Sequence, residues 1–533
     1  MTDAVLPASG PAASSMSATP QVNWTKLFLG FGAMVIGQFM AILDIQIVAA
    51  SLPQIQAGVG ASADQISWIQ TAYLIPEVVM IPLSGYLSRL WGTQKVYLAS
   101  CAGFIVMSVL TGLSSSIDMM IITRALQGFI GGAMIPTVFA VAFTAFPPER
   151  RVTASVIMGL IVTLAPTVGP TLGGHLTEWL SWRWLFFINA PIGLIVLFGV
   201  ARWGDFDKGD PSLKQGFDWL GLGVMAAFLM SLQFVLEEGA KDSWFKDDLI
   251  LALTVLAVAS GVVFVWRQLT YRNPIVELKA FANRNFSIGI LMTAVSGASL
   301  FGGTFLLPQF LSRVRHYSAS EVGTTMVISG LSMFITGPVA GRLVRQIDAR
   351  IPLVIGFLLA GWGMYMAHGV TADWGFWEFA GVQACRGVGV MIAMIATQQL
   401  TMSTLPQNMV KNAAGLVNLS RNTGGAMGLA LLATSITQQT ALYYNDMTSK
   451  VLSSSVQAQG MMTGLSARMA QAGVADPDGA ARKAFSGMME QQATVLAFGD
   501  SFTLLAIGCF IAAGVSLLAK PVANAPPPPS DAH

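Results

Sequence analysis

The sequence predicts an all-α polytopic membrane protein, and three observations support that prediction. Of the 533 residues, 54% are hydrophobic and only 11% are charged, whereas soluble domains carry about 25% charged residues. Apolar runs of about 20 residues, long enough to cross a bilayer as a helix, recur along the chain. The mean hydropathy is +0.63. This composition excludes disordered, collagen-like, coiled-coil and disulfide-rich secreted proteins.

Fourteen membrane-spanning helices are predicted from windows of about 19 residues. Charged and turn-forming segments, such as 147–151 and 205–211, separate neighbouring spans. The predicted spans are 27–52, 68–87, 96–115, 118–140, 152–177, 183–203, 217–236, 248–269, 286–310, 321–343, 351–370, 376–402, 412–435 and 496–519.

The tails and basic residues set the predicted orientation. The first apolar run is too long for the apolar core of a secretory signal, so we expect the first helix to be retained after a tail at 1–26. With this tail and the tail at 520–533 in the cytoplasm, the cytoplasmic segments hold 17 of the 29 Lys and Arg residues. The short outer loops hold 5. Because cytoplasmic loops carry the basic excess, an even number of spans is predicted.

An internal repeat divides the chain. Gly85–Leu90 after the second span resembles Gly341–Gln346 after the tenth, 256 residues later. Arg124 in the fourth span and Arg386 in the twelfth lie 262 residues apart. Each feature therefore returns eight spans later.

This spacing predicts two six-helix halves, at 27–203 and 286–519, with two extra helices in a linker at 204–285. Many secondary transporters are built from such repeats, with the substrate site at their interface. The second half contains a long outer loop at 436–495, rich in Gln, Ser, Ala and Met. Since helix connections in bundles usually have about 2–8 residues, we expect partly helical structure at 457–472 and 480–492. A flexible loop and a docking surface for a partner both remain open.

Ordered motifs carry a resemblance to one family. Leu43–Pro53 is similar to LDxTIVNVALP, and Gly85–Gly92 is similar to a degraded GxLaDRxGRK loop. Arg124–Gly132 resembles RxxQGxGxG with Ile replacing one glycine, and Ala165–Gly174 resembles the antiporter motif APxxGPxxGG. Trp182–Gly193 is similar to WRWIFxINVPIG. The chain thus resembles the major facilitator superfamily, in its fourteen-helix drug:proton antiporter branch of the EmrB/QacA type.

The resemblance implies a fold of two six-helix halves plus two inserted helices. It also implies proton-coupled efflux of amphiphilic drugs or toxic small molecules across the cell inner membrane by alternating access. The partners implied are small-molecule substrates, protons, membrane lipid, a periplasmic adaptor (membrane fusion protein) and an outer-membrane channel. A proton-coupled metabolite transporter is the alternative, and a membrane-embedded enzyme or a channel is a further one.

Two groups of motif residues are expected to move or seal helices. In the loop after the second span, Arg89 stands where the family has an Asp. Because the resemblance implies that this Asp latches the cytoplasmic side, the candidates for another latch are Lys95, Arg342, Arg345 and Asp348. The predicted gating-loop residues are Gly85, Arg89, Gly92 and Lys95. The antiporter-motif residues, which either seal a kinked helix or simply pack, are Pro166, Gly169, Pro170, Gly173 and Gly174.

Ionisable residues inside spans are the candidates for transport chemistry, because a charge at the bilayer centre costs several kcal/mol. Asp44 and Glu77 are the candidate proton- or substrate-binding carboxylates, and Arg124 is a fixed cation that either tunes one of them or forms a static pair with Asp44. In the second half, Arg421 is expected to pair with Asp500, to bind backbone carbonyls or to contact substrate. Further candidates for cavity or pairing roles are Asn189 and Tyr73.

Other chemistries find little support in the sequence. The 3 Cys and 4 His residues are scattered without a metal-binding or disulfide pattern, so neither a metal nor a cofactor is predicted. A net charge of +2 without a basic stripe gives no nucleic-acid signal. Acidic residues at span ends are expected to be solvated; these are Glu178, Glu237, Glu238 and Glu378.

Overall fold

The computed structural model describes residues 23–62, 65–242, 244–452 and 456–521. Within these ranges every regular element is helical. Three short 3₁₀ helices lie at Pro211–Lys214, Trp244–Lys246 and Leu278–Ala282. The α-helices are α1 (Trp24–Ala50), α2 (Leu52–Val59), α3 (Trp68–Trp91), α4 (Thr93–Gly112), α5 (Ile117–Gly131), α6 (Met134–Thr144), α7 (Pro148–Trp179), α8 (Trp184–Phe187), α9 (Asn189–Trp203), α10 (Trp219–Glu238), α11 (Asp248–Thr270), α12 (Arg284–Val314), α13 (Ala319–Gln346), α14 (Arg350–Tyr365), α15 (Phe376–Met402), α16 (Gln407–Leu452), α17 (Val456–Gln471) and α18 (Pro477–Ser516).

All fourteen predicted spans fall on these helices. In the described ranges, ten helical segments are long and apolar enough to cross a membrane, and α7 adds an eleventh if its two bent arms count as one span. The other three predicted spans correspond to α3, α14 and α16. Helix α14 has only 16 residues, and α3 and α16 carry charged and polar side chains in their middle. The number fourteen therefore remains a prediction, whereas an all-helical polytopic architecture is observed.

Helix pairing follows the repeat. In the first part of the bundle α1 packs on α7 and α9, α3 packs on α5, and α4 packs on α9. Eight spans later, α12 packs on α16 and α18, α13 packs on α15, and α14 packs on α18. This repeated pairing supports two similarly built halves, whose boundaries stay a prediction.

The two sets of helices meet along two lines. Helix α7 packs against α13, where Val156 lies next to Gly341 and Leu160 next to Gly337. Helix α3 packs against α16, and a Cβ at Gly85 would lie 2.9 Å from the Lys411 carbonyl oxygen. Both lines depend on small residues that let the backbones approach.

The inserted helices α10 and α11 form a hairpin beside α3. Asp218 begins α10 by accepting a hydrogen bond from the Gly221 N–H at 2.8 Å, and it also pairs with Arg267 of α11 at 2.8 Å. One carboxylate therefore both caps α10 and joins it to its neighbour.

The predicted outer loop is mostly helical. Helix α16 has 46 residues, or about 69 Å at 1.5 Å per residue, which is far longer than the roughly 30 Å hydrocarbon core of a bilayer. Helix α17 packs on α18, and Tyr444 of α16 hydrogen bonds to Ser486 of α18 at 2.8 Å. We call residues 437–452 and 456–495 the helical extension. The expectation of partly helical structure there is confirmed.

The antiporter-motif residues shape the contact between α7 and α1. A Cβ at Gly169 would lie 2.6 Å from Cβ of Gln46, and one at Gly173 would lie 2.8 Å from the Ile47 carbonyl oxygen. Nothing lies within 4 Å of a Cβ at Gly174. The two arms of α7, Pro148–Pro166 and Thr171–Trp179, meet within the motif at an angle of 49°. Pro166 is buried, while the side chain of Pro170 lies outside the described residues.

We expect Gly173→Ala to destabilise the protein by about 1–3 kcal/mol, because the added methyl group overlaps the α1 backbone. Gly174→Ala is the matched control. It should leave stability unchanged or raise it by up to about 1 kcal/mol, since alanine favours a helix over glycine. Thermal unfolding of the purified variants in one detergent measures both effects. Equal melting temperatures for the two variants would contradict the close contact.

Candidate functional site

Asp44 and Arg124 form a buried ion pair. Asp44 comes from α1 and Arg124 from α5, and Nη1 of the arginine lies 2.6 Å from a carboxylate oxygen. Both side chains are 0% exposed. The contact that the sequence left as a hypothesis is therefore present.

Two amides complete the surroundings of the Asp44 carboxylate. Asn189 at the start of α9 donates from Nδ2 to Oδ1 of Asp44 at 2.7 Å, and Gln127 donates to the same oxygen at 3.3 Å. The Asn189 Nδ2 group also donates to the Ser108 hydroxyl of α4 at 2.9 Å. Asp44 thus lies at the centre of a network from α1, α4, α5 and α9, which we call the Asp44 network.

Arg124 is held by further groups on its other edges. Its Nε donates to the Ile69 carbonyl of α3 at 3.2 Å, and Nη1 also donates to Oε1 of Gln127 at 2.9 Å. The Tyr73 ring lies 4.3 Å from the guanidinium carbon, a cation–π distance. Nη2 of Arg124 is buried without a hydrogen-bond partner among the described residues. Asn189 and Tyr73, both predicted as cavity or pairing residues, therefore belong to this network.

This arrangement has one member whose charge protonation would remove. Arginine stays charged at accessible pH, whereas a carboxylate can gain or lose a proton. Protonating Asp44 would remove the negative partner of Arg124 and with it the ion pair that joins α1 to α5.

Glu77 of α3 is buried one helical turn from Tyr73, with 3% of its surface exposed. Within the described ranges its carboxylate makes no hydrogen bond and no ion pair within 4.0 Å. The cations that act on it electrostatically are Arg124 and Arg421. Glu77 therefore lies between the two sets of helices as a second buried carboxylate.

The predicted ion pair between Arg421 and Asp500 is wrong. Arg421 is buried in α16, where it donates to the Asn418 amide oxygen and lies 5.1 Å from the Phe139 ring of α6. Asp500 is exposed and accepts a hydrogen bond from the Tyr443 hydroxyl at 2.6 Å. The pair does not form because the Arg421 side chain points towards the first set of helices, whereas the Asp500 side chain lies beside the helical extension.

Two other buried polar residues have partners that the sequence analysis did not predict. Arg386 of α15 is held by neutral groups, with Gln383 at 3.1 Å and Ser329 at 2.6 Å. Glu238 was expected to be solvated but is 5% exposed. It accepts a hydrogen bond from Thr71 of α3 at 2.9 Å and lies 3.5 Å from Lys241, because α10 packs on the start of α3.

The gating-loop residues lie at the junction of α3 and α4. Gly92 has φ of +88°, a left-handed conformation that favours glycine, and it ends α3. Arg89 is half-buried beside the Tyr86 ring, with its Nε unpartnered in the described part of the chain. Lys95 is exposed. Gly85 provides the close approach to α16.

Asp207, which the sequence analysis did not single out, supplies the carboxylate at this junction. It accepts hydrogen bonds from the Thr93 N–H at 2.7 Å and the Thr93 hydroxyl at 2.8 Å, at the start of α4. It also forms an ion pair with Lys411 of α16. We call this contact the Asp207 bridge. The only sequence signal was the acidic segment 205–210, read there as a separator between spans.

The other candidates for a replacement latch do not take part in the Asp207 bridge. Arg345 donates to the Thr153 hydroxyl of α7 at 2.8 Å and so crosses between α13 and α7. Asp348 pairs with Arg350 at 2.8 Å within its own segment, and Arg342 is exposed. Among the described residues, no group of three or more His, Cys, Asp or Glu side chains could hold a metal ion.

A bundle of long apolar helices with repeated pairing and buried charges defines the class of multi-pass helical membrane transporters. The comparisons agree with this class. The family description Major Facilitator Superfamily matches residues 34–429. The chain belongs to the Major Facilitator Superfamily, among its EmrB-type multidrug efflux permeases, and the fold-class prediction is confirmed.

Proteins with similar sequences are named for drug export or for resistance to toxic compounds. The chain is 39% identical over 417 residues to the colistin resistance protein EmrB of Acinetobacter baumannii, covering 78% of this chain and 81% of that protein. It is 30% identical over 434 residues to the multidrug export protein EmrB of Escherichia coli, covering 81% and 85%. The fatty acid resistance protein FarB of Neisseria gonorrhoeae is 27% identical, with 93% and 96% covered.

A solved structure shares the fold. The human organic anion transporter MFSD10 superposes with a TM-score of 0.57 at 13% sequence identity, covering 91% of this chain and 99% of that one. At this identity the likeness concerns the fold alone.

We expect Asp207→Ala to expose the Thr93 amide, because it loses its acceptor and α4 loses its tie to α16. A hydrogen bond to a charged group contributes about 1–3 kcal/mol, so exchange of that amide should accelerate about tenfold or more. Hydrogen–deuterium exchange of peptides covering 88–96 measures this. Asp205→Ala is the control, since Asp205 is 74% exposed and 4.0 Å from Lys26. Unchanged exchange in Asp207→Ala would contradict the bridge.

Proposed function

We propose that this protein exports amphiphilic drugs or other toxic small molecules across the cell inner membrane, driven by protons and working by alternating access. The buried Asp44–Arg124 pair is the observation that carries the proposal, because it joins a proton-exchanging group to a fixed charge at the junction of four helices. The names of the relatives, which concern multidrug export and resistance to colistin or fatty acids, support the substrate class.

In the proposed cycle, a proton entering from outside neutralises Asp44 and releases Arg124. Asn189 then loses an ionised acceptor, so the contacts of α9 with α1 change together with those of α5. Loss of the proton to the cytoplasm restores the pair. Glu77 is the second candidate for the coupling carboxylate, because it lies between the two sets of helices without a direct partner in the described structure.

The contacts between the two sets of helices are the proposed gates. Opening towards the cytoplasm requires α3 to separate from α16, and this breaks the Asp207 bridge and the contact at Gly85. Gly92 supports the bridge by allowing the turn, while Arg89 and Lys95 contribute positive charge beside it. On α7, the Gly169 and Gly173 contact with α1 is proposed to limit proton leak.

We propose that both termini are cytoplasmic, because this orientation places the basic excess inside. Asp207 then lies on the cytoplasmic side and the helical extension on the outer side. The extension projects beyond the predicted span of α16, and its helices are joined by polar contacts such as Tyr444 with Ser486. These features support a role in docking a periplasmic adaptor that leads to an outer-membrane channel.

Proton coupling is testable in everted vesicles energised to an acid interior and loaded with a pH-sensitive dye. Addition of an exported amphiphile should release protons with the wild-type protein. Asp44→Asn should reduce this release at least about tenfold if Asp44 carries the proton, and Glu77→Gln should do so if Glu77 does. The exposed carboxylate of Glu178 provides the control Glu178→Gln, which should keep the response. Substrate flux that is indifferent to the proton gradient would contradict the proposal.

If α17 docks an adaptor, its removal should lower the resistance of whole cells but leave transport into vesicles intact. Replacing 456–471 by a short Gly/Ser linker removes α17, which packs on α18, and leaves the spans untouched. Transport into vesicles should persist, because it needs no adaptor. Resistance of whole cells that supply the adaptor and outer channel should fall to the level of cells without the transporter. Unchanged resistance would count against docking on α17, and parallel loss of vesicle transport would show that α17 serves transport itself.

A further inference from the structure

A small cavity lies among helices of the second set, apart from the Asp44 network. Its walls come from α12, α15 and α16, and its volume of about 10 Å³ leaves room for about one water molecule in this state. Met394 on its α15 wall also touches α7, where it approaches the position of Gly159. The cavity therefore lies next to the line where the two sets of helices meet, the usual place for a transported molecule.

The polar groups on the walls have unused hydrogen-bonding capacity. Gln398 of α15 is 4% exposed, and neither its amide nitrogen nor its amide oxygen has a partner in the described structure. Ser296 of α12 is 7% exposed, and its hydroxyl likewise has none. Burying such groups without partners costs free energy. Both groups can therefore pair with polar atoms of a molecule that enters the cavity.

Arg421 adds an uncompensated positive charge to the same cavity. Its side chain is 5% exposed, and its partners are the neutral Asn418 amide and the Phe139 ring. No carboxylate of the described residues lies within 4.0 Å of its guanidinium. Glu77 acts on it electrostatically but makes no ion pair with it. Arg124, by contrast, has Asp44 at 2.6 Å.

The backbone around Arg421 is fixed, so the guanidinium is presented at a defined place. A Cβ at Gly297 of α12 would lie 2.1 Å from the Arg421 carbonyl oxygen, and one at Gly424 would lie 2.3 Å from the Ala294 carbonyl oxygen. Helices α12 and α16 therefore touch through their backbones. The remaining walls include the apolar side chains Met394 and Val417, and the methionine can adapt to differently shaped ligands.

We propose that this cavity widens during transport into a subsite for the carboxylate group of an anionic amphiphile, with Arg421 as its counter-ion and Gln398 and Ser296 as hydrogen-bond donors. A guanidinium presents two parallel N–H groups that match the two oxygens of a carboxylate. Met394 and Val417 provide apolar surface for the adjoining part of the ligand. The inference rests on the proposed export function, since it assigns the head-group chemistry of one class of exported substrate.

The test compares three probes of one shape: 2-naphthoate, the neutral 2-naphthamide and 2-naphthylmethylammonium. Binding to the purified full-length protein in nanodiscs is measured by calorimetry, with empty nanodiscs subtracted and no proton gradient present. Wild-type protein should bind naphthoate at least tenfold more tightly than the other two probes. Naphthalene-2-sulfonate tests whether any anion suffices, and it should bind more weakly than the carboxylate.

Two variants should prevent carboxylate binding, one by removing the positive charge and the other by neutralising it from within the protein. Arg421→Gln removes the positive charge and should abolish the preference for naphthoate. Gln398→Glu adds a carboxylate to the α15 wall as an internal partner for Arg421. It should abolish naphthoate binding while raising the melting temperature, so it decides the question even if Arg421→Gln does not fold. Arg386→Gln is the matched control, because Arg386 is buried in the same set of helices but does not line the cavity.

Loss of the preference in Arg421→Gln and Gln398→Glu, with retention in Arg386→Gln, supports the subsite. A wild-type protein without preference overturns it, and so does a preference that survives Gln398→Glu or disappears equally in Arg386→Gln. These outcomes are separate from the failure of proton-driven export. Naphthoate can bind at Arg421 in a protein that releases no protons in vesicles, and protons can be released by a substrate that ignores Arg421.

Discussion

A charge inside a bilayer needs a partner within the protein, and the Asp44–Arg124 ion pair meets that need for the first set of helices. Removing one member of a buried pair costs about 3–5 kcal/mol, because the other charge is left uncompensated. The pair therefore fixes α1 against α5. Hydrogen bonds through Asn189 and the Ile69 carbonyl extend the constraint to α9 and α3. A proton or ligand that alters this one contact acts on four helices at once.

The three arginines buried in spans meet the same constraint differently. Arg124 has an acid, Arg386 has neutral groups of Gln383 and Ser329, and Arg421 has one amide and an aromatic ring. A fully paired arginine fixes structure until its partner changes protonation, whereas an arginine without a counter-ion retains attraction for an anion that enters from solution. Proton exchange in one set of helices and anion recognition in the other would then be separated in space.

The sequence predicted the helices and the Asp44–Arg124 contact better than the other long-range contacts. Hydropathy is local, so each predicted span falls on a helix, and Asp44 and Arg124 are both single charges in apolar runs that have few possible partners. The Arg421–Asp500 pair failed because hydropathy does not show how a helix is rotated, and Arg421 turns towards Phe139 instead. Asp207 and Lys411 lie about 200 residues apart in ordinary polar segments, so nothing in either segment indicated that they meet.

The Asp207 bridge shows how a motif can lose a residue while the fold keeps the contact. Arg89 stands where the family has a carboxylate, and a carboxylate nevertheless caps α4 and pairs with a lysine of α16. It comes from the segment that leads into the inserted helices, which are anchored in turn by Asp218 and Arg267. A movement that separates α3 from α16 must therefore also pull on this segment. In this chain the two inserted helices are mechanically connected to the proposed cytoplasmic gate, a connection that a latch within the loop after α3 would not provide.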